Sequence, residues 1–401
     1  MQAARAWPLG VSGGLLQGSP GAKVPSVLVE DWPPSRGSLN EDPCMLDDVG
    51  EVNWTEFFRD DPYPPDLPRL LRELTSLDAN QREGVTYGMS EIFGAHPEVI
   101  PFVVPFLLEL MQATAGDVKE SVLQLLLTSA GGLVPPEPDC DYVYTVEGQP
   151  ELAETIRTAL NRGSHLYRES LTDLDPEVRA LAACVVAVTR DVGSLDILRD
   201  RLQRESHPQA YVRMLGALSR FAPQEALPIA ERDLASEIPL VKLHAGAIIG
   251  ELTKPTIPRE ALDALVGLAM EYWATDWVRM NALITLSRFG HDALSYALDK
   301  WIDRLLDPPG SLADLVWFLL RAVFRSRAPF PTAVSPSEIT PNQLKVLHAL
   351  AGNLAVWQLP RTPRGHFKIR EVYNDLIDSG LPSTRGELIE FLRQASEHNT
   401  P

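Results

Sequence analysis

The sequence predicts an all-α fold, an α-solenoid in which helix pairs stack into a superhelix. Three observations carry this reading. Amphipathic stretches of about 10–18 residues recur from Met45 almost to the C-terminus, separated by short breaks. A valine followed by a base returns at the head of alternate stretches. The chain of 401 residues also exceeds the ~250–300 residues at which one hydrophobic core stops growing. A repeat array escapes that limit, because each unit packs only on its neighbours.

The elements follow in order. Residues 1–44 carry Gly13-Gly14, Pro20, Pro25, Pro33 and Pro34 and show no periodicity, so they read as a disordered leader or a non-native extension. They are not a signal peptide, since Arg5 is the only early cation and Pro8 and Gly10 cut the apolar run. A single solenoid is expected over 45–401. Its helices read as Asp66–Ser76, Ala79–Phe93, Pro97–Gln112, Asp117–Ser129, Pro150–Thr172, Pro176–Thr189, Ser194–Glu205, Ala210–Phe221, Gln224–Leu234 and Pro239–Leu252. Arg259–Trp273, Trp277–Phe289, Asp292–Leu306, Leu312–Phe324, Pro341–Asn353, Ile369–Ser379 and Arg385–Ala395 follow. The apolar run Val99–Met111 is broken by Pro101, Pro105 and Glu109, and reads as a buried helix rather than a membrane span. An irregular loop is expected at 131–150, with the strand-like Asp139–Val146 inside it, and a divergent stretch at Ala328–Ile339.

The repeat anchors are Val118-Lys119, Val178-Arg179, Val212-Arg213, Val241-Lys242 and Val278-Arg279. The last four valines are spaced 34, 29 and 37 residues apart. Polar or proline turns precede the last four of them, at Asp175-Pro176, His207-Pro208, Ile238-Pro239 and Asp276, and these cap the second helix of each pair. The valine is expected in the core. Lys119, Arg179, Arg213, Lys242 and Arg279 are expected to reach an aspartate or carbonyl in the neighbouring repeat's turn, a structural role.

The segment Leu171-Thr-Asp-Leu-Asp-Pro-Glu-Val-Arg-Ala-Leu-Ala-Ala183 resembles a HEAT inter-helix turn. A wider resemblance to bacterial HEAT-repeat proteins, many of them without an assigned function, runs over about 45–395. It rests on Leu46-Asp47-Asp48 with Trp54, Ile92-Phe93, Val104–Leu110, Val346–Ala351, Val356-Trp357 and Gly380–Arg385. The resemblance implies an architecture and supplies no catalytic residue.

Charge divides the chain. Between Met45 and Thr155 there are 21 acidic and five basic residues, a net −16 out of the chain's −18. The acidic half is either a solvated face or a docking surface for a basic partner. Asp47, Asp48, Asp60 and Asp61 are its first candidates. Nucleic acid is disfavoured as a partner, because phosphates would be repelled. The three cysteines, with no C-x-x-C, fit a reducing, cytoplasmic setting.

Motifs for chemistry are missing. There is no P-loop, G-x-G-x-x-G, H-E-x-x-H or G-x-S-x-G, so no cofactor and no metal is expected. One cluster stands out, Glu271-Tyr-Trp273-Ala-Thr-Asp276-Trp277-Val-Arg279. Trp and Asp cradle a damaged base in HEAT-like DNA glycosylases, so Trp273, Asp276 and Trp277 are candidates for binding. In the plainer reading Asp276 caps a helix and the indoles pack between repeats. Arg361, Arg364, Lys368 and Arg370 form a basic strip, read as a surface loop.

The expected function is a non-enzymatic protein-interaction scaffold that binds an unidentified basic protein on its concave or acidic N-terminal surface. The alternative is a DNA-binding or glycosylase-type enzyme. Translation from Met45 is a further expectation. N-terminal mass spectrometry of the native protein should then return no fragment from residues 1–44.

Overall fold

The computed structural model describes residues 48–398, apart from 51, 60, 62–63, 77, 115, 131–148, 271–275, 306–311, 325–333, 359–375 and 377–379. The chain is all-α, and no strand occurs among the described residues. It divides into two compact units between Leu252 and Thr253. The loop expected at 131–150, apart from its last two residues, the strand-like 139–146, nearly all of Ile369–Ser379 and the basic strip lie outside the described residues.

The N-terminal unit opens with short helix α1 (Trp54–Phe57) and continues as pairs: α2 (Leu67–Glu73) with α3 (Ala79–Ala95), then α4 (Ile100–Ala113) with α5 (Asp117–Ala130). α6 (Pro150–Asn161) and α7 (Ser164–Ser170) both pack on α8 (Pro176–Thr189), α9 (Leu195–Arg204) packs on α10 (Pro208–Phe221), and α11 (Pro223–Asp233) also packs on α10. α12 (Pro239–Thr253) ends the unit. The second helices form a continuous layer, α3 on α5, α5 on α8 and α8 on α10, while α4 touches α6 and α7 in the other layer.

The C-terminal unit repeats the plan. α13 (Arg259–Met270) packs on α14 (Asp276–Arg288), α15 (His291–Asp303) on α16 (Leu312–Val323), and α17 (Pro341–Gly352) on short α18 (Leu354–Trp357). α14 contacts α16, α15 contacts α17, and the last helix α19 (Arg385–His398) covers α17.

Local sequence explains the helix starts. Asp175 Oδ1 accepts the Glu177 N–H at 2.9 Å with Pro176 in the first position. Thr340 and Gln343 form a reciprocal capping box ahead of Pro341. Each such cap is worth about 1 kcal/mol. The core follows from α8, whose Val178, Ala180, Ala182, Ala183, Val185 and Val186 are all buried. Small alanines let α5 and α10 close on it from both sides. Val212, Val241 and Val278 are buried as expected, whereas Val118 is only half-buried.

One expectation needs correction. The single helix expected at Pro150–Thr172 is broken at Arg162-Gly163. A Cβ on Gly163 would stand 2.3 Å from Leu108 Cδ2 and 2.7 Å from the Tyr167 hydroxyl, so α4 presses directly on this backbone. Tyr167, fully buried, turns its hydroxyl onto the Leu160 carbonyl at 3.0 Å. Asp276 opens the described part of α14.

α1 was not expected. Trp54 donates to the Val49 carbonyl at 2.7 Å and sets its ring 6.4 Å from Phe106, while Phe57 lies 5.0 Å from Phe102. These aromatics cover the apolar flank of α4, and each pair adds about 0.5–1.5 kcal/mol beyond its buried area. The run Val99–Met111 is indeed buried, and among the described residues no single helix is long and apolar enough to cross a membrane.

Three positions run against helix stability. α3 carries Gly84 and Gly88, where a Cβ would meet nothing within 4 Å among the described residues. Each costs about 1 kcal/mol relative to alanine in a helix. α8 ends on Arg190 in the left-handed conformation, φ 55°. A side chain there is strained by about 1–2 kcal/mol, of which glycine would return a part through its own entropy cost. Arg190→Gly is therefore expected to raise the unfolding free energy by about 0.5–1 kcal/mol, read by urea titration.

Candidate functional site

The bases at the heads of the second-layer helices form a ladder. Arg179 is buried, and its guanidinium meets Glu205 in two parallel bonds, Nε to Oε2 at 2.7 Å and Nη2 to Oε1 at 2.8 Å. Its Nη1 donates to the carbonyls of Asp173 and Leu174 at 2.8 and 2.9 Å. One side chain thus fastens its own turn and the turn of the next pair. Lys119 reaches the next turn only, with Nζ 3.0 Å from Asp173 Oδ2.

The carboxylates have double duties. Glu205 Oε1 also accepts the backbone N–H groups of Ser206 and His207 at 3.1 and 3.0 Å, and so builds the turn before Pro208. His207 itself makes no side-chain cap. Asp173 Oδ1 accepts the Asp175 N–H at 3.0 Å in the equivalent turn. Each acid therefore holds its own turn and receives the base of the preceding pair.

A further rung was missed from sequence. Arg82, buried in α3, donates through Nη1 to the Ser76 carbonyl at 2.5 Å and through Nη2 to Asp117 at 3.0 Å. Like Arg179, it is the fourth residue of its helix and reaches the carbonyl six residues back. Gln81 stands where the other anchors have valine, so the Val-base pattern passed over it. Arg213 and Lys242 are half-buried at the corresponding positions. Arg279 is buried with Nε donating to the Ala269 carbonyl at 3.5 Å, so it fastens its own pair in the C-terminal unit.

Charge and burial compete at these carboxyls. Burial pushes Glu205 up, but the bonds from Arg179 and the His207 N–H, with the Arg179 and Arg201 charges, bring it down to about 2. Burial likewise opposes Asp173, and the Asp175 N–H and Lys119 outweigh it, leaving the carboxyl below its ordinary value. A second network ties the opposite turns. Arg168 grips Asp191 with two bonds of 2.7 and 2.6 Å, which holds that carboxyl low, and Ser194 adds a third at 2.6 Å. Between α10 and α11, the Tyr211 hydroxyl donates to Asp233 at 2.5 Å, and Arg232 bonds both. Burial, then Asp233, pushes the Tyr211 hydroxyl well up, so it stays a donor.

The remaining candidates are dispersed. Asp47, Asp60 and Trp273 lie outside the described residues, and of Asp48 and Asp276 only the backbone is described. Asp61 is half-buried, with its N–H on the Phe58 carbonyl at 3.0 Å. Trp277 is 38% exposed on α14 while Arg279, two residues on, is buried. The two side chains leave the helix on different sides, so they do not line one cradle. Among the described residues no group of three or more His, Cys, Asp or Glu side chains could hold a metal. The solvent face of α3, with Glu83, Tyr87 and Glu91 exposed, was not singled out from sequence.

No family model matches this chain, and no curated protein does. Among solved structures it is similar to the complex of CpcE and CpcF of phycocyanin lyase from Nostoc sp. PCC7120, at 16% identity and TM-score 0.42, over 72% of this chain and 96% of that one. It is also similar to two engineered proteins, each at 16% identity. Their TM-scores are 0.30 and 0.25, over 82% and 83% of this chain and 98% and 96% of theirs. The fold is an all-α array of stacked helix pairs. The expectation that the chain is no enzyme is corrected here: a solved structure similar to it is named as a complex of phycocyanin lyase, so the expectation is withdrawn.

The ladder generates two predictions. Arg179→Ala leaves Glu205 buried without its partner and should lower the unfolding free energy by about 3–5 kcal/mol, with strong coupling to Glu205→Ala in a double-mutant cycle. The second concerns acid. Glu205 is depressed on folding, so its contribution is complete above its unfolded value near 4.5 and is lost as pH falls towards 2. Circular dichroism titration should show about 3 kcal/mol of stability disappearing across that window, and Glu205→Gln should flatten the slope.

Proposed function

We propose that this chain binds a basic protein partner on the acidic surface of its N-terminal unit. The observation that carries the reading is the fate of the few cations there. Of the five bases between Met45 and Thr155, Arg82 and Lys119 are consumed by the ladder, and Arg69 faces Glu73 at 3.7 Å. The acids outnumber the two remaining bases, Arg59 and Arg72, which are exposed: Glu56, Asp66, Glu83, Glu91 and Glu151 are exposed as well. The unit thus offers an uncompensated negative field, which attracts cationic protein and repels phosphate backbones. An array of stacked pairs also presents a long surface suited to another chain. The pairs themselves we assign to the HEAT type, in a bacterial and cytoplasmic protein. The anchor pattern and the sparse cysteines support this.

Affinity purification on the full chain, read by mass spectrometry at about 50 and 400 mM salt, tests the proposal. The captured proteins should be predominantly basic, and their recovery should fall at least about tenfold at the higher salt. A captured set with no basic bias, or one indifferent to salt, would sink it.

A further inference from the structure

Two large apolar side chains stand on one edge of the N-terminal unit, in the turns that lead into its second-layer helices. Leu174, ahead of α8, has 97% of its area exposed, and Ile238, ahead of α12, has 45%. Hydrogen bonds fix the backbone that carries Leu174. Asp173 accepts the Asp175 N–H, Asp175 accepts the Glu177 N–H, and Arg179 takes the carbonyls of Asp173 and Leu174. None of these bonds involves the leucine side chain. The same place in the next two turns, two residues before the proline, holds Ser206 and Glu237. Leucine contributes to a fold by being buried, so at this place it gains the fold nothing.

The turns are tied into a row. Arg179 links the turn of Leu174 to Glu205, and the Tyr211 hydroxyl, at the head of α10, reaches Asp233 at 2.5 Å. From there the Ser236 N–H returns to the Asp233 carbonyl at 3.0 Å, and the Ser236 hydroxyl oxygen accepts the Ile238 N–H at 3.2 Å. At about 8–10 Å for each step between packed helices, the row sets Leu174 and Ile238 roughly 20 Å apart. An extended chain covers that distance in about six residues. Carboxylates flank both side chains: Asp175 and Glu177 are half-buried and Glu237 is exposed. Lys119, Arg179 and Arg232 are engaged with Asp173, Glu205 and Asp233, and Lys242, one turn into α12, is half-buried. The edge therefore keeps an excess of negative charge around its two apolar points.

We propose that this edge docks an extended basic segment of the protein partner through two apolar side chains six residues apart. The inference rests on the proposed function and names the place and the pattern. One apolar side chain covers Leu174 and the other Ile238, and the segment crosses the middle turn at Ser206, which is exposed. Bases between them meet Asp175, Glu177 and Glu237. Spacing selects the partner more than charge does, because the bonds beneath the turns hold the two points at a fixed separation.

The test uses the full chain and a fluorescein-labelled peptide with leucines at its first and seventh positions, lysines at the second, fourth and sixth, and serines elsewhere, followed by fluorescence anisotropy at low salt. A peptide of the same composition with adjacent leucines, and one with serine in place of both, serve for comparison. The spaced peptide should bind at least about fivefold tighter than the adjacent one. Leu174→Ser and Ile238→Ser should each weaken it about tenfold and leave binding of the serine peptide unchanged. Leu174 is almost wholly exposed, so its replacement should not move the urea midpoint. Val192→Ser removes a side chain 69% exposed beyond the other end of α8, and should leave binding unchanged. If the spaced and adjacent peptides bind alike, or if Leu174→Ser has no effect, the edge is overturned while the proposed function survives. If the chain pairs with itself and Leu174→Ser separates the pair in sedimentation, a second copy occupies the edge and the inference falls. If the wild-type chain captures a basic set of proteins but not the spaced peptide, the edge also falls. If neither the peptide nor a basic protein binds, the proposed function falls with it.

Discussion

The N-terminal unit depends on one interaction, a buried guanidinium shared between two turns. Arg179 spends its fork on Glu205 and its remaining nitrogen on the carbonyls of its own turn. Turns are the weak points of a helix-pair array, because backbone carbonyls emerge there without helical partners. A buried base satisfies them and at the same time needs a carboxylate, which the next turn provides. Local order at one turn and stacking of successive pairs are thereby one and the same constraint. Removing the base affects both, which is why the ladder and the alanine-lined contact of α5, α8 and α10 must be understood together.

The division of cations follows from the same constraint. An array with few bases in its N-terminal part places two of them inside, where geometry is demanding, and leaves carboxylates outside. The negative field of that unit follows from composition, 21 acids against five bases between Met45 and Thr155, and the paired anchors leave it unchanged.

Much of the fold was legible because it is periodic. Caps such as Asp175-Pro176 and the valines at 178, 212, 241 and 278 declare helix starts and a core face within a few residues of sequence. The aspartate partner of Lys119 was foreseeable in kind, since the turn holding Asp173 is rich in acids. Glu205 was harder to find: it ends a helical stretch, where a glutamate is usually solvated, and only the spatial neighbourhood of Arg179 gives it a role. Arg82 was hidden by Gln81, and the break at Gly163 by Leu108, 55 residues earlier and in a different helix.

The rungs share a direction. Arg82 reaches forward to Asp117, Lys119 to Asp173 and Arg179 to Glu205. During synthesis the base of each pair therefore leaves the ribosome before its carboxylate. A growing chain always carries one unmatched cation at its newest helix, and the arrival of the next turn quenches it. Truncation is asymmetric for the same reason. A cut from the C-terminal side strands a buried base. A cut from the N-terminal side that removes Lys119 or Arg179 leaves an acid, Asp173 or Glu205, that already has its own turn to hold.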